Sequence, residues 1–482
     1  MAAVFDTVAA ISTPPGKGGV ALIRISGAEA DKICERIFLT ASGKPYSEIR
    51  PRVATYGYVV SAAAEAQNEA FPSYAESKTH RAREKIDDVL LSRFPAPHSY
   101  TGEDTVEICC HGGILVTRCV LEEILRAGAR CAEAGEFTRR AFINGKLSLT
   151  ETEAIGTLLV AGSREQIKLS SEPSRRALSE RVTEIRGELV SIMSSVYARI
   201  DYPDENLGEY DDEHLAQALE EVRKKLSSLA STYRTGRAIT EGISAVIAGK
   251  PNVGKSSIYN LILGEDAAIV TDIAGTTRDV LERSIPLGRV MLRLFDTAGI
   301  RDNITDAVER IGIQKSREAM EKCQLLFAVF DNSRPFDDED AALLESIKPL
   351  SCAKIAIINK TDLKPELDLS LIKQSFDRIA YTSKTCEAET IRALTEAVEA
   401  KFTDEKIVSG SDAIIFSARQ HSAIISALDC LNEAITDLSS GFMQDAVSGH
   451  VERAIGAIGE LDGRQVDEEI VADIFSKFCV GK

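Results

Sequence analysis

The chain has 482 residues, 44% of them hydrophobic and 27% charged, and a net charge of −17. That length exceeds one hydrophobic core and sets an expectation of about two to four domains. No apolar run reaches the ~18 residues of a membrane helix, the opening MAAVFDTVAA lacks a secretory pattern, and the acidic balance disfavours a protein that grips nucleic acid unaided. Ten scattered cysteines with no C-x-x-C argue against zinc or a disulfide scaffold and fit a reducing cytoplasm.

Residues 1–150 hold 18 basic and 18 acidic side chains, so the acidic excess lies beyond them. Short apolar runs (Val20–Ile25, Val89–Phe94, Thr105–Cys110) alternate there with turn-rich stretches such as Thr13–Gly19, which predicts a mixed α/β domain. Residues 61–85 are polar and rich in Ala, Glu and Ser, the composition of a surface insertion. Apolar residues then recur at helical spacing over Arg176–Ile200 and Glu213–Tyr233, residues 243–400 alternate strand and helix, and residues 413–482 read as helical to the last residue. The expected fold is therefore multidomain α/β plus all-α. A P-loop domain with a mixed, mostly parallel sheet is inserted in a helical domain and preceded by an N-terminal α/β domain.

Ile243–Ala248 has the composition of a buried parallel strand and runs into Gly249-Lys250-Pro251-Asn252-Val253-Gly254-Lys255-Ser256, which fits G-x-x-x-x-G-K-[ST]. In that pattern the backbone N–H groups cradle phosphates, Lys255 reaches the β- and γ-phosphates and the Ser256 hydroxyl binds Mg²⁺; Ser257 opens the following helix. Val290–Phe295 ends in Asp296-Thr297-Ala298-Gly299, where a carboxylate beside the phosphate loop belongs to the Mg²⁺ shell and the glycine N–H senses the γ-phosphate. Lys354–Ile358 ends in Asn359-Lys360-Thr361-Asp362; a carboxylate there accepts from the guanine N1–H and amino group, selecting GTP over ATP. Ser383 of Tyr381-Thr382-Ser383-Lys384 is expected to close over guanine O6 through its backbone N–H. Between the first two motifs, Thr271-Asp272-Ile273-Ala274-Gly275-Thr276-Thr277 is expected to order around nucleotide, with Thr277 on Mg²⁺. The residue after Asp296–Gly299 is Ile300, not the glutamine that orients water in Ras-like enzymes, so another group must support hydrolysis. Arg278 and Arg301 read as a solvated switch surface rather than as an arginine finger.

The segments GKPNVGKSS, AAIVTDIAGTTRD, DTAGIRD and VERIGIQKS resemble the MnmE (TrmE) family of tRNA-modification GTPases. So do Thr13–Ser26, Ser99–Gly113, Ala134–Leu149 and the terminal Phe478-Cys479-Val480-Gly481-Lys482, so the resemblance runs from end to end. It implies an N-terminal dimerising, folate-binding domain (1–148), a helical domain in two segments (149–240 and 405–482) and a GTPase domain between them (241–404). It implies a cytoplasmic homodimer that assembles with an FAD-containing partner, MnmG (GidA), into a heterotetramer acting on tRNA. The pair adds a carboxymethylaminomethyl or aminomethyl group to C5 of the wobble uridine (U34), with the one-carbon unit from a reduced folate (5,10-methylene- or 5-formyl-tetrahydrofolate). The family's potassium ligands fall on Asn252, Thr271, Ile273 and Thr276, and its catalytic glutamate on Glu309. The stretch Asp302–Ala307 ahead of that glutamate is one residue longer than the family's spacing. Its folate contacts fall on Arg24, Glu107, Lys146 and Lys482, and its near-terminal cysteine, a candidate catalytic thiol, on Cys479.

Two other readings share these motifs. A ribosome-assembly GTPase would carry a basic RNA-binding domain, and none is evident here. A folate-dependent aminomethyl transferase with a purely regulatory GTPase is compatible with the N-terminal segment.

Overall fold

The computed structural model describes residues 6–61, 84–201, 212–264, 282–295, 320–440, 444–463, 468–476 and 478–481. The chain divides into two compact units, one formed by Met1–Gly156 with Gly463–Lys482 and the other by Thr157–Asp462.

The first unit is built on a seven-stranded sheet: β1 (Val8–Ile11), β2 (Val20–Ser26), β3 (Phe38–Thr40), β4 (Thr55–Val60), β5 (Lys85–Phe94), β6 (Thr105–His111) and β7 (Arg130–Cys131). The strand order is β3-β4-β5-β6-β2-β1-β7, antiparallel throughout except for the β1–β7 pair. Alternation along β2 and β6 sends Ile23, Ile25, Val106 and Ile108 into one face. There they pack with Ile33 and Ile37 of the helix Ala30–Ile37 and with Val120 and Ile124 of the helix Ile114–Arg126. The intervening Arg24 and Glu107, directly paired in register, take the opposite face. A third helix, Glu136–Ile143, buries Phe137 among Val8, Ala10 and Ala132. Its Arg140, 1% exposed, is held by ion pairs to Asp6, Glu103 and Glu136.

The chain's end belongs to this unit, which differs from the helical ending expected for residues 413–482. The helix Glu468–Ser476 stops, Val480 forms an antiparallel bridge with Ala134, and Ser12 Oγ donates to the Gly481 carbonyl at 2.9 Å. Two aromatics drive the docking: Phe475 and Phe478 are buried against Ile155, with Phe142 alongside. The fit is close. Gly481 holds φ +99°, and a Cβ there would lie 2.3 Å from the Ile11 carbonyl oxygen.

In the second unit, four long helices, Glu172–Asp201, Asp212–Ser231, Ala418–Ser439 and Gln444–Asp462, share one core. Leu178, Val182, Ile185, Leu189, Ile192 and Val196 recur at alternating steps of four and three, as do Leu215, Leu219, Val222, Leu226 and Leu229; this is the spacing of a bundle seam. The same unit carries a six-stranded sheet of β8 (Ile243–Gly249), β9 (Glu282–Leu287), β10 (Val290–Phe295), β11 (Leu325–Asp331), β12 (Ala353–Asn359) and β13 (Arg378–Tyr381). The order is β13-β12-β11-β8-β10-β9, parallel except for the edge strand β9. β11 is buried at every residue: Leu325, Phe327 and Val329 face a core completed by Ile258, Leu394 and Val398, while Leu326, Ala328 and Phe330 face Ile347 and Ile372. Helices thus cover both faces, and a ligand site belongs at the carboxyl ends of the strands.

Candidate nucleotide-binding site

Three carboxyl ends converge: those of β8, β11 and β12, neighbours at the centre of the sheet. From β8 the chain turns through Gly249 (φ +153°), Asn252 (φ +63°) and Gly254 (φ +102°) into the helix Lys255–Leu263. Left-handed Gly254 caps that helix, and Ser256 and Ser257 are exposed on its first turn, where unpaired N–H groups and the helix dipole favour an anion. Lys255 folds back along the loop, its ammonium donating to the carbonyls of Gly249 (2.9 Å) and Lys250 (2.6 Å). The loop is therefore closed on itself, with the lysine positioned over the turn.

The Asn-Lys-Thr-Asp segment braces this loop. Asn359, 7% exposed at the end of β12, donates from Nδ2 to the Val253 carbonyl at 2.8 Å and accepts from the Thr382 hydroxyl at 3.0 Å. Lys360 donates to the Asn252 carbonyl at 3.0 Å. Lys250 forms ion pairs with Asp337 (2.7 Å) and Asp340 (2.8 Å) at the start of the helix Asp338–Ile347. Burial alone would lower the Lys250 pKa, but the hydrogen bonds to the two aspartates outweigh it and raise the value. Sequence reasoning missed these anchors, because an aspartate opening a helix reads as an ordinary terminus.

Gly254 is fixed by that packing. A Cβ on it would sit 2.1 Å from Asn359 Nδ2, at a backbone angle that L-residues rarely adopt. Gly254→Ala therefore displaces either the loop or Asn359, and GDP affinity measured by titration of the full chain falls by about tenfold or more. Parental affinity would show that the loop tolerates the shift.

Asp362 is exposed, and its Oδ1 accepts the Ser383 hydroxyl at 3.1 Å. The Ser383 N–H is donated to Thr390 Oγ1 at 3.1 Å, and its hydroxyl faces the Asp362 carboxylate. The helix starting at Glu387 brings Thr390 there, a partner invisible in the local motif. Thr271, Asp272, Ile273, Ala274, Gly275, Thr276, Thr277, Asp296, Thr297, Ala298, Gly299, Ile300 and Glu309 lie outside the described residues, as do Arg278, Arg301 and most of the 61–85 insertion.

In the first unit, Arg24 donates to Glu107 Oε1 from Nε (3.0 Å) and Nη2 (2.8 Å). Its guanidinium lies 5.1 Å from the Tyr100 ring centroid and 5.6 Å from that of Phe137. Both donations go to one oxygen. Lys146 reaches the same neighbourhood, its ammonium on the Pro97 carbonyl (3.0 Å) and its stem over Gly102, in the loop that carries Tyr100. The terminal segment meets Ile11 and Ser12 of the adjoining strand end; Cys479 is exposed on it and Lys482 lies outside the described residues. The structure thus gathers Arg24, Glu107 and the Lys146 loop. Among the described residues no helix is long and apolar enough to cross a membrane.

A glycine-framed phosphate loop locked to an Asn-Lys-Thr-Asp strand end on a doubly wound sheet defines a GTP-binding hydrolase of the P-loop class, a GTPase. The family model described as GTP-binding protein TrmE N-terminus matches residues 7–146, and the MnmE helical domain matches residues 149–479. The tRNA modification GTPase MnmE of Thermotoga petrophila is 38% identical over 99% of this chain and 100% of its own length. That of Clostridioides difficile is 36% identical over 99% of each. The chain belongs to the MnmE (TrmE) family of tRNA modification GTPases.

Proposed function

We propose that this GTPase works with an FAD-containing partner of the MnmG kind to add a carboxymethylaminomethyl or aminomethyl group to C5 of the wobble uridine of certain tRNAs. In this reading the one-carbon unit comes from a reduced folate held by the N-terminal unit of a cytoplasmic homodimer. The observation that carries it is one chain holding both a braced phosphate loop and, in a separate unit, an Arg24–Glu107 pair beside the half-buried Tyr100 ring. A carboxylate with one oxygen left to accept suits the N–H groups of a pterin, and Lys146 with Lys482 suits an acidic glutamyl tail. The proposed divisions are 1–148 for folate binding and dimerisation, 149–240 with 405–482 for the helical part, and 241–404 for the GTPase.

For GTP, Lys255 would hold the β- and γ-phosphates, the loop amides the remaining oxygens, and Asp362 the base. The first-turn hydroxyl of Ser256 fits a Mg²⁺ ligand, with Thr277 and Asp296 completing the set in the switch segments; the ion would neutralise the phosphate charge. Asn252, at a left-handed turn of the loop, would share a potassium ion with Thr271, Ile273 and Thr276. Cys479, exposed on the docked tail, is the proposed thiol of the modification chemistry.

Liquid chromatography with mass spectrometry of tRNA nucleosides tests the reading. Cells lacking the protein lose the C5 wobble modification, and the parent gene restores it. Glu107→Ala does not restore it, and the purified variant binds 5-formyl-tetrahydrofolate at least about tenfold more weakly while keeping parental GDP affinity. Full modification in the deletion strain would overturn the function, and parental folate binding by Glu107→Ala would overturn the site.

A further inference from the structure

Among the described residues, three non-glycine residues hold a positive φ: Arg52 (61°), Asn252 (63°) and Lys360 (63°). Two of these three are joined, because the Lys360 ammonium donates to the Asn252 carbonyl at 3.0 Å. A left-handed backbone is strained at a residue that carries a Cβ, and it persists where the surroundings over-determine it. Here one turn is the phosphate loop and the other opens the base-reading segment, so both halves of the nucleotide site carry the same strain, and this hydrogen bond joins them beside the one from Asn359 to the Val253 carbonyl.

The same Lys360 ammonium also meets Asp331. It is the last residue of β11, the strand between β8 and β12, and its side chain is 4% exposed. Both oxygens are committed. Oδ1 accepts from Ser333 N (3.0 Å) and Ser333 Oγ (2.6 Å), which fixes the carboxylate's orientation, and Oδ2 accepts the Lys360 ammonium at 2.5 Å. The remaining cation nearby, Arg334, stands 3.7 Å from Oδ2 on the exposed side. Burial pushes the Asp331 pKa up, yet the hydrogen bonds from Lys360 and Ser333 outweigh it and hold the group below the usual carboxylate range. The charge is therefore present at neutral pH, buried and in closest contact with Lys360. Lys360, on a flexible four-carbon stem, would otherwise sample many rotamers.

We propose that Asp331 is a positioning residue for nucleotide binding: it pins Lys360, and through Lys360 the left-handed turn at Asn252, so that the base-reading segment and the phosphate loop close as one body. The proposal rests on the reading of Asn359–Asp362 as the base-reading segment. It goes beyond that reading by assigning a role to a residue that lies outside the loop, the switch and the Asn-Lys-x-Asp motif. With Asp331 neutralised, the ammonium loses its fixed partner, the Asn252 turn relaxes, and bound nucleotide escapes sooner. A merely structural ion pair would lower thermal stability and leave the release rate alone.

The test uses the full chain and stopped-flow release of a fluorescent GDP analogue, with a thermal melt of each variant. Asp331→Asn, nearly isosteric, is expected to release the analogue about tenfold faster or more, raising KM for GTP with little change in kcat. Lys360→Met is expected to do the same, and in the Lys360→Met background Asp331→Asn should add nothing, because the two act through one bond. A parental release rate in Asp331→Asn that melts like the parent overturns the proposal, and so do effects that multiply in the double variant. If Asp331→Asn is too unstable to hold nucleotide, Lys360→Met decides alone: faster release supports the proposal and parental release overturns it. Failure of the underlying base-reading assignment looks different, since the parent itself would then not prefer GDP to ADP.

Discussion

Replacing Asp362 by Asn lowers affinity for GDP and GTP by about a hundredfold or more and gives the chain a preference for xanthine nucleotides. The size of the effect follows from what the substitution sets face to face. Guanine offers two donors, N1–H and the 2-amino group, and an ionised carboxylate offers two acceptors. An amide offers one acceptor and one donor, so a donor is left facing a donor. The structure indicates which way the amide turns. Ser383 donates its hydroxyl to Asp362 Oδ1, and the same bond to an Asn oxygen would direct the NH₂ group towards the base. Xanthine carries a carbonyl where guanine has its amino group, so the misplaced donor becomes a match. Titrations of the full-length variant with GDP and XDP measure the reversal. Undiminished GDP affinity would remove Asp362 from base recognition, and Ser383→Ala, which frees the amide to rotate, is expected to blunt the switch to xanthine.

Much of this site was legible because its chemistry is local in sequence. The phosphate loop needs glycines at fixed steps and a lysine after the last of them, and Ile243–Ser256 contains all of these in one stretch. The core of the sheet was equally plain, since β8, β10 and β12 are apolar runs of the length expected for buried strands. The first two bundle helices were legible from apolar residues at helical spacing over Arg176–Ile200 and Glu213–Tyr233. What stayed hidden depends on residues far apart. Asp331 and Lys360 are separated by 29 positions and Ser12 and Gly481 by 469, and no periodicity marks either pair. The chain's end was read as helix because Glu468–Ser476 dominates its local pattern. The final residues leave that helix because burying Phe478 beside Phe475 and Ile155 outweighs continuing it, a choice made by a surface over three hundred positions away in the chain. Ser383 shows the subtler case: its N–H is bonded to Thr390, on the following helix, a partner the local motif does not display.

Exchanging sodium for potassium at equal ionic strength is expected to raise GTP turnover by at least about a hundredfold, and Glu309→Ala to lower it by a similar factor in potassium. Ile300 stands where Ras-like enzymes place a water-orienting glutamine, and an aliphatic side chain neither accepts nor donates. Hydrolysis then needs two substitutes, one for the positive charge at the transferring phosphoryl group and one for the positioning of water. In the proposed mechanism a monovalent cation on Asn252 and the switch segment would supply the first, in the manner of an arginine finger. The side chain that must hold it begins at Asn252, whose backbone is locked by Lys360, so the phosphate-loop half of such a site is built before nucleotide arrives. Sodium is the smaller ion and is expected to fit the same oxygens poorly. The second substitute is a carboxylate, and Glu309 matches the family's position for it. The two roles separate experimentally. Lys255→Ala loses nucleotide in either salt, because it removes the phosphate contact itself. Glu309→Ala keeps parental GTP affinity and keeps the potassium dependence of binding, while single-turnover hydrolysis collapses. Equal turnover in the two salts would remove the cation from the mechanism. A fully active Glu309→Ala would show that the residue added within Asp302–Ala307 has moved water positioning to a different side chain.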